Sequence, residues 1–308
     1  MKQLNTILIS IAKSFAYVLG GFLAILVYKA AAYYLVGISI RGKAFWPIVD
    51  SVLASIVTAA YLYAIVYMHR GQGRERTGIA LLNPWLRHFI LGIGTGAIMS
   101  TAAWSILVAI NGFHVTIAPF SLSRYAGLCV YALTMCFASI WEETLFRGVA
   151  AFTGRKAGKI SCAVIVSFAF SIYKMAEGVD FSSFTIFFRK FDILAAISYY
   201  FFSLICFELT WITGSIWSAA GFNGAFYTVS RVIYGISLEG SKMPGVLSSD
   251  PSGISALITG NELGMISSLT CAAIFMVGFI FLWILYRNPK RADEPLADWL
   301  MYGSWMPE

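Results

Sequence analysis

The segment that decides the fold is Trp141-Glu-Glu-Thr-Leu-Phe-Arg-Gly148, near the end of an apolar stretch that begins near Tyr125. Ionisable groups inside a bilayer are expensive, so they are usually paired or functional. On a helix, Glu143 and Arg147 lie on one face, with the glutamate on the favourable N-terminal side. Glu142 is directed about a quarter-turn away and can take another partner. The pattern indicates either a structural ion pair that closes the cytoplasmic end of a membrane helix or a functional site.

Composition assigns the chain to the membrane proteins. Of its 308 residues, 59% are hydrophobic and 12% are charged, whereas a soluble domain has roughly a quarter charged residues. The length allows about eight spans of roughly 20 residues with short loops. We therefore predict an all-α, polytopic protein with about eight transmembrane helices, embedded in a lipid bilayer. The net charge of +7 is interpreted as loop charge, and nucleic acid is not an expected partner because no basic stripe with interleaved aromatic residues is present.

No cofactor or metal is expected from the cysteines and histidines. The sequence contains neither Cys-x-x-Cys nor His-Glu-x-x-His, so a zinc site of those types is not predicted. The cysteines fall in apolar stretches, where they are interpreted as small buried residues. The residues considered are Cys129, Cys136, Cys162, Cys206, Cys271, His69, His88 and His114.

The predicted spans alternate with basic loops. The basic segments at 69–76, 154–159 and 287–291 are predicted to be cytoplasmic by the positive-inside rule, which places both termini inside. The first apolar segment is too long for the core of a signal peptide and is interpreted as a retained span. The predicted spans are approximately 6–38, 47–68, 88–110, 125–152, 160–175, 192–212, 214–234 and 264–286.

Several features inside or between these spans carry their own predictions. The glycines of Gly92-Ile-Gly-Thr-Gly96 indicate close helix packing, not a nucleotide loop, because no strand precedes them. Asp50 is predicted to be hydrated near the outer end of its span. Glu208 is interpreted as a solvated charge at a helix end, in preference to a substitute catalytic acid. The segment 177–190 is predicted to be an outer loop, and 240–262, which is rich in glycine, serine and proline, is predicted to be a looser outer segment.

Two later motifs extend the pattern of the first. Ser167-Phe-Ala-Phe-Ser-Ile-Tyr-Lys174 and Thr213-Gly-Ser-Ile-Trp-Ser-Ala-Ala-Gly-Phe-Asn-Gly-Ala-Phe-Tyr227 follow the Glu-Glu-x-x-x-Arg stretch. Together, these segments resemble the motifs of the CPBP family (Abi, or CAAX protease and bacteriocin-processing), which consists of intramembrane glutamic endopeptidases. The resemblance covers about 125–286. It divides the chain into N-terminal helices at 1–124, a CPBP-like core at 125–286 and a cytoplasmic tail at 287–308.

The resemblance implies a catalytic apparatus that is altered here. In active members, the first glutamate and two histidines hold and activate a water, and an asparagine stabilises the oxyanion. By position, Glu142 is the candidate base, and Glu143 and Arg147 are its supporting ion pair. Lys174 and Asn223 stand where the histidines are expected. Tyr227 stands where the asparagine is expected and would donate one hydrogen bond.

The replacements change what the site can do. An ammonium group beside Glu142 favours the ionised form of both groups, so a salt bridge replaces a poised base. Asn223 can orient a water but cannot accept and return a proton. Each residue also has a structural interpretation. Lys174 would reach to the interface, Asn223 would form an interhelical hydrogen bond and Tyr227 would pack.

Two classes of function follow. One is an intramembrane endopeptidase that hydrolyses a peptide bond near the membrane, as the resemblance implies. The other is a non-catalytic relative that binds a membrane protein or peptide as a scaffold or regulator. A small-solute transporter is disfavoured because the sequence has neither repeat symmetry nor paired broken helices. The predicted location is a bacterial plasma membrane, with an organellar membrane as the alternative.

Overall fold

Helices dominate the computed structural model of the chain. It describes residues 2–35, 46–68, 85–119, 121–150, 158–180, 185–188, 192–236, 245–260 and 263–286. The helices are α1 (Lys2–Leu35), α2 (Trp46–Met68), α3 (Trp85–Ala109), α4 (Leu122–Glu143), α5 (Lys159–Met175), α6 (Ile193–Thr213), α7 (Ile216–Thr228), α8 (Ala256–Thr259) and α9 (Leu269–Tyr286). The backbone continues as a π-helix after α4 (Thr144–Ala150) and after α7 (Val229–Ile233), and a 3₁₀-helix (Gly264–Ser267) precedes α9.

The apolar helices make this an integral membrane protein. Their outer faces carry exposed hydrophobic side chains such as Val27, Ile98 and Phe281, which fit a lipid environment. The prediction of an all-α membrane protein is confirmed, whereas the number of eight spans remains a prediction. Among the described residues, the helices long and apolar enough to cross a membrane are Ile11–Ala32, Trp46–Ile65, Trp85–Ala109, Leu122–Val149 and Ile193–Thr213, with Leu269–Leu285 as a shorter apolar helix.

Helix α7 lies inside the bundle, packed between α3 and α4. From Ser218 to Tyr227 every residue is buried. A helix enclosed on all sides has no polar face, and the run Ser-Ala-Ala-Gly at its start allows neighbouring backbones to approach closely. The predicted seventh span is therefore a short central helix that presents side chains to its neighbours.

Glycines set the distance between α3 and α7. A Cβ added to Gly92 would collide with the backbone of Ser218, and one added to Gly96 would collide with the backbone of Phe222. Across the same contact, a Cβ on Gly221 would collide with the carbonyl of Phe89. The prediction of close helix packing is confirmed for Gly92 and Gly96 but not for Gly94, where a Cβ would meet nothing within 4 Å.

The glycine contact predicts an unequal effect of two alanine substitutions in one helix. Gly96→Ala is expected to destabilise the protein by about 1–3 kcal/mol, because the backbone it meets cannot move aside without separating the helices. Gly94→Ala is the matched control, since a Cβ there meets nothing within 4 Å. Both changes gain the same helix propensity. Unfolding of the purified protein in mixed micelles measures the difference, and equal effects would contradict the packing.

Short strands occur in two predicted outer segments. β1 (Phe113–Ile117) pairs antiparallel with β4 (Leu247–Pro251), and β2 (Ala176–Asp180) pairs antiparallel with β3 (Thr185–Phe188). The loop prediction for 177–190 is wrong for the residues of β2 and β3, and β4 lies within the predicted outer segment 240–262. β4 has a polar Leu-Ser-Ser-Asp-Pro sequence, so its pairing depends on a distant strand and not on its own propensity.

Asp50 and Glu208 are both predicted to be hydrated, and the structure leaves only Asp50 partly exposed. Asp50 keeps a quarter of its side chain exposed, but it also pairs with Lys29 at 3.1 Å and accepts a hydrogen bond from Tyr28 at 3.0 Å. The interpretation of Glu208 as a solvated charge is wrong. Glu208 is 1% exposed, and its Oε2 lies 2.7 Å from Nζ of Lys159, because α5 and α6 pack side by side.

Candidate functional site

The predicted site residues come from three helical segments that meet in the core. Glu142 and Glu143 end α4, and Arg147 lies in the π-helix that continues it. Lys174 lies in the last turn of α5. The central helix α7 carries the remaining members, Asn223 and Tyr227. The structure brings all of them into one connected cluster, which we call the charge cluster.

Both carboxylate oxygens of Glu142 have donors. Its Oε1 lies 2.5 Å from Nζ of Lys174 and 3.3 Å from the hydroxyl of Tyr173. Its Oε2 accepts a hydrogen bond of 2.9 Å from Nδ2 of Asn223. Glu142 is only 6% exposed, so these contacts replace the water that the carboxylate loses on burial.

Glu143 and Arg147 form a second pair behind the first, with both side chains fully buried. Nη1 of Arg147 lies 3.1 Å from Oε2 of Glu143. Its Nη2 donates to the carbonyl of Ser203 at 2.9 Å and to the Ser203 hydroxyl at 2.7 Å. The planar guanidinium can serve a carboxylate and a backbone carbonyl together, because its donors point in fixed directions.

Asn223 joins the two pairs. Its Nδ2 donates to Oε2 of Glu142 and to Oε1 of Glu143, each at 2.9 Å. Ionised carboxylates only accept hydrogen bonds, so the side-chain amide must present its nitrogen to both. The two hydrogens of one amide group thereby separate two adjacent negative charges.

The charge cluster is electrically balanced. Two carboxylates face one guanidinium and one ammonium group, so no net charge is buried when all four are ionised. Buried charges are tolerated only when they are paired and hydrogen-bonded. Lys174 is the most accessible of the four, with 16% of its side chain exposed against 8% for Glu142 and none for Glu143 and Arg147.

Aromatic rings surround the ammonium group of Lys174. Its Nζ lies 5.1 Å from the ring centroid of Tyr227, 5.4 Å from that of Phe170 and 5.7 Å from that of Tyr173. Each distance is within the range of a cation–π interaction. Tyr227 is predicted to donate a hydrogen bond in catalysis, and that role remains a prediction. In the structure its ring lies beside the ammonium group of Lys174.

Two residues that contact the charge cluster, Ser203 and Tyr173, are not predicted as site residues from the sequence. Ser203 lies 56 positions from Arg147, in the middle of apolar α6. Its signal is a small polar residue within a membrane helix, where it usually bonds to another helix. Tyr173 precedes Lys174 and adds a hydroxyl to the same oxygen of Glu142. Among the described residues, no group of three or more histidine, cysteine, aspartate or glutamate side chains is arranged to hold a metal ion.

The fold and the charge cluster together define an integral membrane protein whose helices bury paired charges around a central helix. Residues 124–229 match the family model described as type II CAAX prenyl endopeptidase Rce1-like. The matched segment includes every predicted site residue, and the match is consistent with a CPBP family membrane protein. No curated protein matches the chain, and no solved structure matches it.

Proposed function

We propose that this protein is a non-catalytic relative of CAAX-type endopeptidases that acts as a membrane-embedded scaffold or regulator. Its partner in this proposal is a membrane protein or peptide. The observation that carries the proposal is the 2.5 Å contact between Nζ of Lys174 and Oε1 of Glu142. It couples the candidate base to a cation at a position where the family has a histidine.

The chemistry of the neighbouring residues supports this proposal. A general base must reach a water and take its proton. Here both oxygens of Glu142 already accept hydrogen bonds, from Lys174 and Tyr173 on one side and from Asn223 on the other. An ammonium group offers donors only, and a neutral amide cannot shuttle a proton. The missing imidazoles would supply proton transfer worth about 10²–10⁴-fold in rate.

An endopeptidase is the second candidate, and the intact remainder of the cluster favours it. Glu143 and Arg147 are paired behind Glu142, as the family resemblance implies for a working site. Asn223 already donates to Glu142 at 2.9 Å and would orient a water or an oxyanion. In this proposal Lys174 moves away from Glu142 when a substrate enters.

A comparison of membrane-proteome termini separates the two candidates. Cells carry the wild type, Glu142→Gln or Glu208→Gln at matched expression. Glu208 is the control because it is also buried and paired with a lysine, yet it lies outside the charge cluster. We expect the same set of termini in all three. Termini that require Glu142 but not Glu208 would overturn the scaffold and establish cleavage.

The membrane orientation belongs to the same proposal. The basic segments at 69–76, 154–159 and 287–291 support cytoplasmic termini, because lysine and arginine accumulate on the inner side of short loops. A bacterial plasma membrane remains the proposed location. The core at 125–286 is the proposed functional unit, with the helices at 1–124 packed against it and a tail at 287–308.

A further inference from the structure

The surroundings of the Lys174 ammonium group form a cation cage, which we define by Glu142 and the rings of Phe170, Tyr173 and Tyr227. Three ring centroids lie 5.1–5.7 Å from Nζ, and the carboxylate lies 2.5 Å from it. Aromatic faces carry negative charge density, so several rings around one point attract a cation. The same combination of rings and a carboxylate is a general means of recognising ammonium groups.

The charges around the cage make it a site for a cation even without Lys174. Glu143 and Arg147 balance each other at 3.1 Å, so removal of the Lys174 ammonium group leaves the charge of Glu142 uncompensated. Lys174 is also the most exposed charged residue of the charge cluster, with 16% of its side chain accessible. Lys174 is attached in the last turn of α5, next to the end of the helix at Met175.

We propose that the cation cage is a binding site for a primary alkylammonium group and that Lys174 is its tethered occupant, exchanged for an ammonium group carried by a partner. This inference rests on the proposed function, because it assigns the partner's chemistry at the same site. A contact of 2.5 Å to Glu142 requires an N–H donor on the cation. A quaternary ammonium group is excluded from this distance by its methyl groups, so the cage selects amines that carry N–H, and the group that Lys174 presents is a primary alkylammonium.

Chemical complementation tests the cage. Lys174→Ala keeps Cβ and removes the atoms that n-propylammonium replaces. In purified Lys174→Ala protein, n-propylammonium is expected to raise the thermal unfolding temperature with a saturable dependence on concentration, as for a ligand that binds only the folded state. 1-Propanol is the probe that lacks the positive charge. Tetramethylammonium is the probe that has the charge but lacks an N–H donor. Neither is expected to reproduce the effect.

Two further samples make the result specific to the cage. The wild type is expected to respond only at higher n-propylammonium concentrations, because the added ammonium group must displace Lys174 from the cage. Glu142→Gln combined with Lys174→Ala is expected not to respond, because the carboxylate is absent. An equal rise at the same concentrations with 1-propanol, or in either of these samples, would overturn the cage. If Lys174→Ala does not fold by itself, folding in n-propylammonium but not in 1-propanol supports the cage. Failure to fold in n-propylammonium overturns it.

The natural source of the ammonium group is distinguished with the same variant. N-acetyl-lysine amide represents a peptide side chain, and phosphatidylethanolamine in the micelle represents a lipid headgroup, with phosphatidylcholine as its control. The natural source is represented by the compound that raises the unfolding temperature of Lys174→Ala as n-propylammonium does. Glu142-dependent termini together with a retained ammonium response would reject the scaffold alone. Unchanged termini without an ammonium response would reject the cage alone.

Discussion

Lys174→Met alone is expected to lower the free energy of unfolding by about 3–5 kcal/mol, because it leaves Glu142 buried without its cation. The value should fall near the lower end, since Asn223 and Tyr173 still donate to the carboxylate. Glu142→Gln alone should have a similar effect for the opposite reason. It leaves the Lys174 ammonium group among aromatic rings without a counter-charge.

The double variant is the informative one. Lys174→Met combined with Glu142→Gln removes both charges and should regain part of the stability that each single change loses. Reversible unfolding in mixed micelles gives the four free energies of the cycle. Single changes without effect would contradict the pair.

The Lys29–Asp50 pair provides the matched cycle for this measurement. It has a similar contact of 3.1 Å, but the two side chains are 37% and 25% exposed. A partly exposed pair is expected to contribute about 0–1 kcal/mol. A coupling as large there as at Lys174 and Glu142 would mean that burial is not the source of the effect.

Arg147→Met is expected to have the largest effect in the charge cluster, at least about 3–5 kcal/mol, because it leaves a fully buried carboxylate unpaired. The same change removes both hydrogen bonds to Ser203. Arg147→Lys keeps the charge but not the planar fork, so its free energy of unfolding should lie between those of the wild type and Arg147→Met. Unfolding under the same conditions measures the series.

Ser203→Ala separates the two contributions of Arg147. It removes the 2.7 Å bond to the hydroxyl but keeps the 2.9 Å bond to the carbonyl and the pair with Glu143. A loss of about 1 kcal/mol is expected for one hydrogen bond. Arg147→Met as stable as the wild type would contradict the assignment of Arg147 as the partner of Glu143.

Local periodicity made part of the site predictable. Glu143 and Arg147 are four positions apart, so helical geometry alone places them together. The glycines of α3 carried a similarly local signal for close packing. The positions of the motifs predict a contact of Lys174 with Glu142, and the structure has that contact at 2.5 Å.

The missed features all depend on which elements pack together. The partner of Glu208 is Lys159, 49 positions away, and only the packing of α5 against α6 identifies it. Arg147 donates to Ser203 across 56 positions, and β1 pairs with β4 across a longer separation, with Phe113 opposite Pro251. Motif positions therefore indicate the contacts of Glu143 with Arg147 and of Glu142 with Lys174, but they do not indicate the contact of Glu208 with Lys159.

Solid-state NMR of the protein in lipid bilayers measures the central contact directly. Dipolar recoupling between ¹⁵Nζ of lysine and ¹³Cδ of glutamate reports each close lysine–glutamate pair, and Lys174→Met assigns the one in the charge cluster. We expect a short-range contact that disappears in Lys174→Met, while the contact of Lys159 with Glu208 remains as the internal reference. Identical contacts in the wild type and Lys174→Met would show that Lys174 does not hold Glu142.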